Sequence, residues 1–169
     1  MDKLLEIVKY NIQVRDLDIS INIELLEGIV LRGENYETGI IISSKGIERL
    51  KSMYHFINGF NLHNHQIIDW FDGIKPRYLT ILTACYIINA QIFSDGNHRT
   101  AELYLLKSGY YNSDMAKAII SIIKEVRNIY RTDYTSTITY DINLGFSDYV
   151  NSMDYLYNSR LFKYTNILS

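Results

Sequence analysis

The sequence is poor in cysteine, in proline and in long apolar runs. Among 169 residues there is one cysteine and one proline. The single cysteine, Cys85, excludes an internal disulfide and a cysteine-based zinc site, and the apolar run around it, LTILTACYIINA, predicts a buried and inert thiol. No apolar run approaches the roughly 18 residues of a membrane-spanning helix. We therefore expect a protein that does not span a membrane.

An excess of basic charge is also lacking. The chain has 17 Lys and Arg against 19 Asp and Glu, a net charge of -2 and a pI near 6.1. This balance argues against bulk attraction to nucleic acid or anionic lipid. The amino-terminal segment MDKLLEIVKYNIQ carries charges inside its apolar pattern, which favours an amphipathic helix over a secretory signal. We predict a cytoplasmic protein with neither nucleic acid nor membrane as its partner.

The residues that are abundant are those of a folded domain. Hydrophobic residues make up 47% of the chain and charged residues 21%, a composition typical of globular proteins. A chain of this length can bury a core without disulfides or a structural metal. We predict one domain over residues 1–169.

Helical spacing of apolar residues dominates the first half of the chain. Two helices are predicted from faces formed by Leu4, Leu5, Val8 and Ile12, and by Ile21, Leu25 and Ile29. The second ends near Gly33, and a third follows Ser44, which can cap it. Together with the segments that follow, this pattern predicts a mainly α fold with a minor β element.

Three consecutive helices are predicted after residue 75, and the Tyr and Leu spacing of SDYVNSMDYLYNSRLF predicts a closing helix beyond them. The first begins at Pro76, which suits an opening turn, and its apolar residues lie on most sides, which places it in the centre of the fold. The next begins near Asn97 and ends at Gly109. The last, SDMAKAIISIIKEVRNIYR, has Ser113 as its predicted cap.

The segment QIFSDGNHRTA, residues 91–101, has the features of an anion-binding loop. Gly96 permits a tight turn, and the backbone N–H groups from Asn97 onward lie at the start of a helix, where they attract anions. Arg99 in that first turn is unfavourable for the helix dipole unless an anion offsets its charge. Asp95 can hold Mg²⁺ that bridges phosphates. The alternative is an ordinary turn with Asp as a cap and Arg in solvent.

The same segment resembles the signature of the Fic/Doc (Fido) family, H-x-F-x-[D/E]-G-N-x-R-T. The matching positions are Phe93, Asp95, Gly96, Asn97, Arg99 and Thr100. The long apolar helix before the loop also lies where that family has one. The resemblance extends more weakly from Asp16 to Gly109 and leaves the last third unaligned.

The resemblance implies a Fic-type helical bundle with a small β-hairpin flap. It also implies transfer of AMP from ATP, or of the terminal phosphate in the Doc branch, to a Ser, Thr or Tyr hydroxyl of a target protein. ATP or another nucleotide and Mg²⁺ would be the cofactors, and an antitoxin or regulator a further partner. Asp95 would bind the metal and Phe93 would pack under the loop. The phosphates would contact Gly96, Asn97, His98 and Arg99.

One departure from the signature concerns catalysis. Gln91 occupies the position of the family's histidine, which accepts the proton of the attacking hydroxyl. An amide has no useful pKa near neutrality and can only hydrogen-bond that hydroxyl. Losing a general base typically costs about 10² to 10⁴ in rate. We predict a protein that binds nucleotide but transfers weakly or not at all, unless His63, His65 or His98 substitutes. The alternative is a non-enzymatic scaffold or partner-binding module on the same fold.

A second departure is Glu102, where AMP-transferring members commonly have an Arg that contacts the far phosphate. Ser20 and Glu24 resemble the inhibitory motif [S/T]-x-x-x-E-[G/N], whose Glu meets that Arg. Two other segments, at 44–48 and 121–125, fit the motif equally loosely. We therefore interpret Glu24 as part of the polar face of an amphipathic helix and keep the inhibitory role as the alternative.

The β-branched run NYETGIII supplies the residues of the implied flap. Its candidate target-docking residues are Thr38, Gly39, Ile40 and Ile41. An apolar edge strand can recruit an extended peptide through its backbone. A small hairpin that only closes the core is the alternative interpretation.

Overall fold

A computed structural model describes residues 1–32, 42, 46–54 and 75–132. Within these ranges there are six helices and no strand, which confirms the mainly α prediction. The helices are α1 (Asp2–Val14), α2 (Ile23–Arg32), α3 (46–54), α4 (Lys75–Ala90), α5 (Asn97–Lys107) and α6 (Ser113–Thr132). None of the helices in these ranges has the length and apolar character needed to cross a membrane. The predicted flap residues 38–41, His63 and His65 and the chain after residue 132 lie outside the described residues.

Helix α4 is the centre of the described fold, as its sequence predicts. Every residue from Leu79 to Ala90 is buried, and the helix packs against α5 and α6. A helix that is apolar on most sides can bury all of those sides only at the centre of the fold. Cys85 is fully buried there, and burial raises the pKa of its thiol. A thiol held in its neutral form is chemically inert, as expected.

Helix α1 packs against α5 and α2 through its apolar face. The buried residues on that face are Leu4, Ile7, Val8 and Ile12, while Leu5 is only half-buried. One polar residue, Asn11, is fully buried among them. Because a buried amide is costly unless it is hydrogen-bonded, Asn11 indicates a specific contact rather than simple packing.

The carboxyl end of α1 turns sharply at Asp16, whose φ is 52°. The N–H of Asp16 donates to the carbonyl of Gln13 (3.1 Å), and that of Leu17 donates to the carbonyl of Ile12 (3.0 Å). This is the Schellman arrangement, usually made by glycine, and Asp is one of the few other residues that tolerate it. The turn leaves the carbonyl of Val14 to find a partner elsewhere.

The predicted apolar face of α2 is confirmed at Ile21 and Ile29, which are buried, and is displaced at Leu25. The helix begins at Ile23, and Ile21 is buried just before it. The face turned to the core carries Leu26, Ile29 and Val30, whereas Leu25 is only half-buried. Ile21 lies before the first turn of the helix. The i, i+4 spacing of Ile21, Leu25 and Ile29 therefore does not follow the buried face of the helix itself.

Two helices, α2 and α6, are capped at their amino-terminal end by an asparagine that precedes the first helical residue. The N–H of Leu25 donates to Asn22 Oδ1 (2.8 Å), and the N–H of Met115 donates to Asn112 Oδ1 (2.9 Å). The prediction that Ser113 caps α6 was therefore wrong by one residue, since Ser113 is the first helical position. Both asparagines accept from an N–H that has no partner within the helix.

Residues 108–112 form the α5–α6 connection, and the predicted end of the preceding helix at Gly109 is confirmed to within two residues. Gly109 has a φ of 81°. The guanidinium of Arg77 lies 5.7 Å from the ring centre of Tyr110 and 5.9 Å from that of Tyr111. Arg77 Nη2 donates to the carbonyl of Tyr110 (3.1 Å), and the Tyr111 hydroxyl donates to the carbonyl of Arg77 (3.0 Å). The start of α4 is thereby fastened to this connection.

Candidate functional site

The α4–α5 loop, residues 91–96, joins the end of the central helix to the start of α5 and lies against the end of α1. Gly96 occupies the N-cap position of α5 with a φ of 77°. A Cβ at this position would lie 3.1 Å from Arg15 Cγ and 3.3 Å from Asn11 Nδ2. The tight turn predicted at Gly96 is confirmed, and glycine is required there both for its conformation and for the close approach of α1.

Asn97 closes the loop from the inside. Its buried side chain accepts a hydrogen bond from the N–H of Phe93 at Oδ1 (2.9 Å) and donates one from Nδ2 to the carbonyl of Phe93 (2.9 Å). Phe93 and Ile92 are buried beneath the loop. Because the Asn97 amide is directed inward, any contact of this residue with an anion would come from its backbone N–H.

Asn11 holds the loop from the side of α1. Its Nδ2 donates to the carbonyl of Asp95 (2.8 Å) and to Thr100 Oγ1 (3.1 Å), and its Oδ1 accepts from Arg15 Nη1 (3.3 Å). Thr100 Oγ1 in turn donates to the carbonyl of Gly96 (2.7 Å). Sequence reasoning did not select Asn11. The signal that was available is a polar residue placed on the apolar face of an amphipathic helix.

Arg99 and Asp95 form the exposed edge of the site. Arg99 Nη2 and Asp95 Oδ2 are 3.4 Å apart, and the two side chains are 54% and 71% exposed. Arg99 Nη1 also donates to the carbonyl of Val14 (2.7 Å), the group that the turn at Asp16 leaves over. The position of Arg99 in the first turn of α5 thus has a structural explanation within the protein, since it caps α1. Both side chains nevertheless reach solvent.

Gln91 ends α4 in the left-handed conformation, with a φ of 48°. Its Nε2 donates to the carbonyl of Ile88 (2.6 Å), and its Oε1 accepts from Asn97 Nδ2 (3.5 Å). Its own carbonyl accepts from Arg49 Nη1 (2.9 Å), an arginine of α3 that sequence reasoning also did not select. The Gln91 side chain therefore acts as a carboxyl-terminal cap of α4.

Two of the remaining candidate residues lie on α5, next to the loop, and two lie at or just before the start of α2. His98 is half-buried in the first turn of α5, and Glu102 is half-buried one turn later. Ser20 and Glu24 are exposed at the start of α2, and within the described ranges no hydrogen bond or ion pair joins either to the loop. An acid in a first helical turn is favoured by the helix dipole, which agrees with the polar-face interpretation of Glu24.

The donors around the loop suit Mg²⁺ bound together with phosphate. Among the described residues no three His, Cys, Asp or Glu side chains lie close enough to hold a metal by themselves. Mg²⁺ bound with phosphates needs only one or two carboxylates and completes its shell with water. The exposed carboxylate of Asp95, whose main chain is fixed by Asn11, fits that requirement.

Comparison of the chain with protein-family models, with curated proteins and with solved structures finds no match. The features that bear on function are therefore the geometry and chemistry of the α4–α5 loop and its resemblance to the Fic/Doc signature.

Proposed function

We propose that this chain is a Fic/Doc-like protein, a Fic-type helical bundle with a small β-hairpin flap, whose α4–α5 loop binds the phosphates of a Mg²⁺-nucleotide. Transfer of AMP or phosphate to a protein hydroxyl is weak or absent because Gln91 replaces the general base. The observation that carries the proposal is an open helix start at Gly96 with an exposed arginine and an exposed carboxylate beside it. Phosphate and Mg²⁺ each have a matching group in that arrangement.

The first turn of α5 supplies donors for the anion. The first helical hydrogen bond runs from the Thr100 N–H to the Gly96 carbonyl (2.8 Å), so the N–H groups ahead of it lie at the positive end of the helix dipole. Gly96 has no side chain to cover them. The loop is held by Asn11 and Asn97 before any ligand arrives, which lowers the entropy cost of binding.

Arg99 and Asp95 can change partners with little loss. An exposed pair at i, i+4 contributes about 0.3 to 0.5 kcal/mol, so a phosphate and a divalent cation can readily replace it. In a complex, Arg99 would pair with a phosphate oxygen and Asp95 would hold the Mg²⁺, which would neutralise part of the phosphate charge. Each charge then keeps a partner of opposite sign, and Arg99 retains its contact with Val14.

Gln91 explains how the protein would bind a nucleotide and yet transfer a group from it weakly or not at all. A transfer to a hydroxyl requires a group that accepts the proton of that hydroxyl. The Nε2 of Gln91 is a donor occupied by the Ile88 carbonyl, and its Oε1 is directed to Asn97. An amide in this position holds the loop and accepts no proton.

The binding half of the proposal is tested by calorimetric titration of ATP with and without Mg²⁺. We expect saturable, Mg²⁺-dependent binding that weakens at least about tenfold in Arg99→Ala, as for one lost charge-assisted contact. The matched control is Lys107→Ala, which removes the same charge from the other end of α5, roughly 12 Å along the axis. Absence of binding at millimolar ATP, or equal weakening in both variants, would contradict the proposal.

The catalytic half is tested by Gln91→His. We expect this variant to raise label transfer from ATP to protein by about 10² or more over the wild type, the lower bound for a restored general base. Gln91→Asn, which keeps an amide, is the matched control. Parallel reactions with label on the α-phosphate and on the γ-phosphate separate AMP transfer from phosphate transfer. If Gln91→His and Gln91→Asn behave alike, loss of the base does not account for the weak chemistry.

A non-enzymatic scaffold on the same fold is the second candidate. One observation favours it: Arg99, Asn97 and Gln91 all have hydrogen-bond partners within the protein, so the loop is complete without a ligand. Such a protein would use its surface to bind a partner, such as an antitoxin or regulator, and would not bind ATP. The same titration discriminates the two candidates, because saturable binding that depends on Arg99 excludes a scaffold without a nucleotide site.

A further inference from the structure

The start of the α4–α5 loop depends on one residue from a distant segment, Arg49 of α3. Arg49 Nη1 donates to the carbonyl of Gln91 (2.9 Å). Two neighbours of Arg49 on the same helix, Leu50 and Met53, are fully buried, so α3 is anchored in the core and does not simply follow its arginine. The carbonyl that Arg49 holds belongs to the last peptide group before the buried residues Ile92 and Phe93.

Gln91 needs such a partner because its backbone conformation is unfavourable. A φ of 48° at a residue with a Cβ costs roughly 1 to 2 kcal/mol and persists only where surrounding contacts enforce it. Gln91 is held at its N–H by the Ile88 carbonyl (3.3 Å), at Nε2 by the same carbonyl and at its own carbonyl by Arg49. Among the described residues, Arg49 is the only partner of the Gln91 backbone from outside α4, and the Gln91 side chain also accepts from Asn97 Nδ2 (3.5 Å).

The Gln91 backbone leads directly to the parts of the loop that would meet a ligand. Its side chain lies within 3.5 Å of Asn97 Nδ2, and Asn97 binds both backbone atoms of Phe93. Asn97 is also the first residue of α5. A rotation of the Gln91 peptide would therefore displace the contacts that fix Asn97, the first residue of α5.

We infer that Arg49 is a positioning residue, which sets the α4–α5 loop in its ligand-ready form through the carbonyl of Gln91. Its consequence for ligand affinity rests on the function proposed above. Burial raises the pKa of Tyr86 on α4, while a hydrogen bond with Ser52 and the charge of Arg49 lower it, so Arg49 acts on α4 at Tyr86 as well as at Gln91. An arginine suits this position, because its planar group can hold the carbonyl and keep other donors for neighbours.

The first measurement needs no ligand. Amide hydrogen exchange by NMR should accelerate about tenfold or more at Ile92 and Phe93 in Arg49→Ala, the size expected for losing one hydrogen bond from a charged donor. Arg49→Lys, which can still reach a carbonyl with a charged donor, should restore most of the protection. Two controls are Lys51→Ala, which removes an exposed charge from α3, and Ser52→Ala, which disturbs the Tyr86 contact but not Gln91.

The second measurement is calorimetric titration of Mg²⁺ and ATP into the same variants. Arg49→Ala should weaken binding about tenfold, whereas Arg49→Lys, which keeps a charged donor for the Gln91 carbonyl, should restore most of the affinity. The inference is overturned if exchange at Ile92 and Phe93 in Arg49→Ala stays within twofold of Ser52→Ala. If the exchange accelerates but wild-type protein binds no ATP, the nucleotide proposal fails while the positioning of the loop by Arg49 stands.

Discussion

The two ends of α5 are joined to the chain by connections that differ in what holds them. Each turns on a glycine with positive φ, Gly96 at 77° and Gly109 at 81°. The α4–α5 loop is held by the amides of Asn11 and Asn97, which bind backbone atoms. The α5–α6 connection is held by an arginine that lies over two tyrosine rings and exchanges hydrogen bonds with their residues.

The surroundings of the two glycines show what the difference means. A Cβ at Gly96 would meet Arg15 and Asn11 of α1, whereas a Cβ at Gly109 would have nothing within 4 Å. Gly109 only ends a helix. Gly96 lets the side chains of Arg15 and Asn11 approach the loop and starts α5 without a side-chain cap, which leaves the first N–H groups of the helix to other acceptors such as an anion.

The largest expected effect comes from removing the amide that supports the α4–α5 loop. Asn11→Ala leaves the Asp95 carbonyl and Thr100 Oγ1 without their buried donor, so we expect a loss of about 2 to 4 kcal/mol in the free energy of unfolding. Asn112→Ala, which removes an exposed helix cap at the other connection, should cost about 1 kcal/mol. Urea denaturation measures both, and equal losses would contradict the contrast.

The two glycines give the next largest difference. Alanine in a left-handed conformation costs about 1 to 2 kcal/mol at either position. At Gly96 the contact with the Arg15 side chain and the Asn11 amide should add about 1 kcal/mol, because the amide cannot move without losing its hydrogen bonds. Thermal or urea unfolding of Gly96→Ala and Gly109→Ala tests this. A larger loss in Gly109→Ala would show that the space around Gly96 is not limiting.

Of the two connections, the α5–α6 connection should be the one that loses stability at alkaline pH. Burial raises the pKa of Tyr111 above its unfolded value of 10, although Arg77 nearby lowers it. The folded protein thus holds this proton more tightly, so the stability it contributes is complete below pH 10 and is lost as the pH rises further. Tyr111→Phe should remove that part of the decline, and at neutral pH it should cost about 1 kcal/mol through the lost bond to the Arg77 carbonyl.

The measurement is the free energy of unfolding of wild type and Tyr111→Phe at pH 7, 10 and 11. Burial raises the pKa of Tyr86 and of Tyr104 to about 12, so part of the decline remains in both proteins. The difference between the two curves is therefore the informative quantity. Parallel curves above pH 10 would mean that Tyr111 does not report on this connection.

The sequence predicted the helices and the glycines better than the contacts between them. The burial of α4 and the stop at Gly109 follow from local pattern, since apolar spacing and left-handed glycine are properties of a short segment. The cap at Asn112 was missed because the adjacent Ser113 has a similar capping preference, and no cap was predicted for α2, where Asn22 serves.

The loop residues were predicted from their signature, but the residues that hold the loop were not. Asn11 and Arg49 are 84 and 42 positions away from their partners. No local pattern specifies which distant helix lies against a given loop, because that depends on how α1 and α3 pack against the core. Asn11 carried a usable signal as a polar residue on an apolar face, while Arg49 carried none.

The smallest expected effect concerns the two arginines. Arg77→Ala should cost about 1 kcal/mol, because it removes the cation over two rings and a hydrogen bond. Arg99→Ala should cost about 0.5 kcal/mol or less: its pair with Asp95 is exposed, and loss of a positive charge from the first turn of α5 offsets the lost contact with Val14. Urea denaturation of both variants provides the comparison.

A loss above about 2 kcal/mol in the free energy of unfolding of Arg99→Ala would make this arginine chiefly a clamp on α1. The nucleotide titration would then have to rely on Arg99→Lys, which keeps a donor for the Val14 carbonyl but loses the forked contact with phosphate.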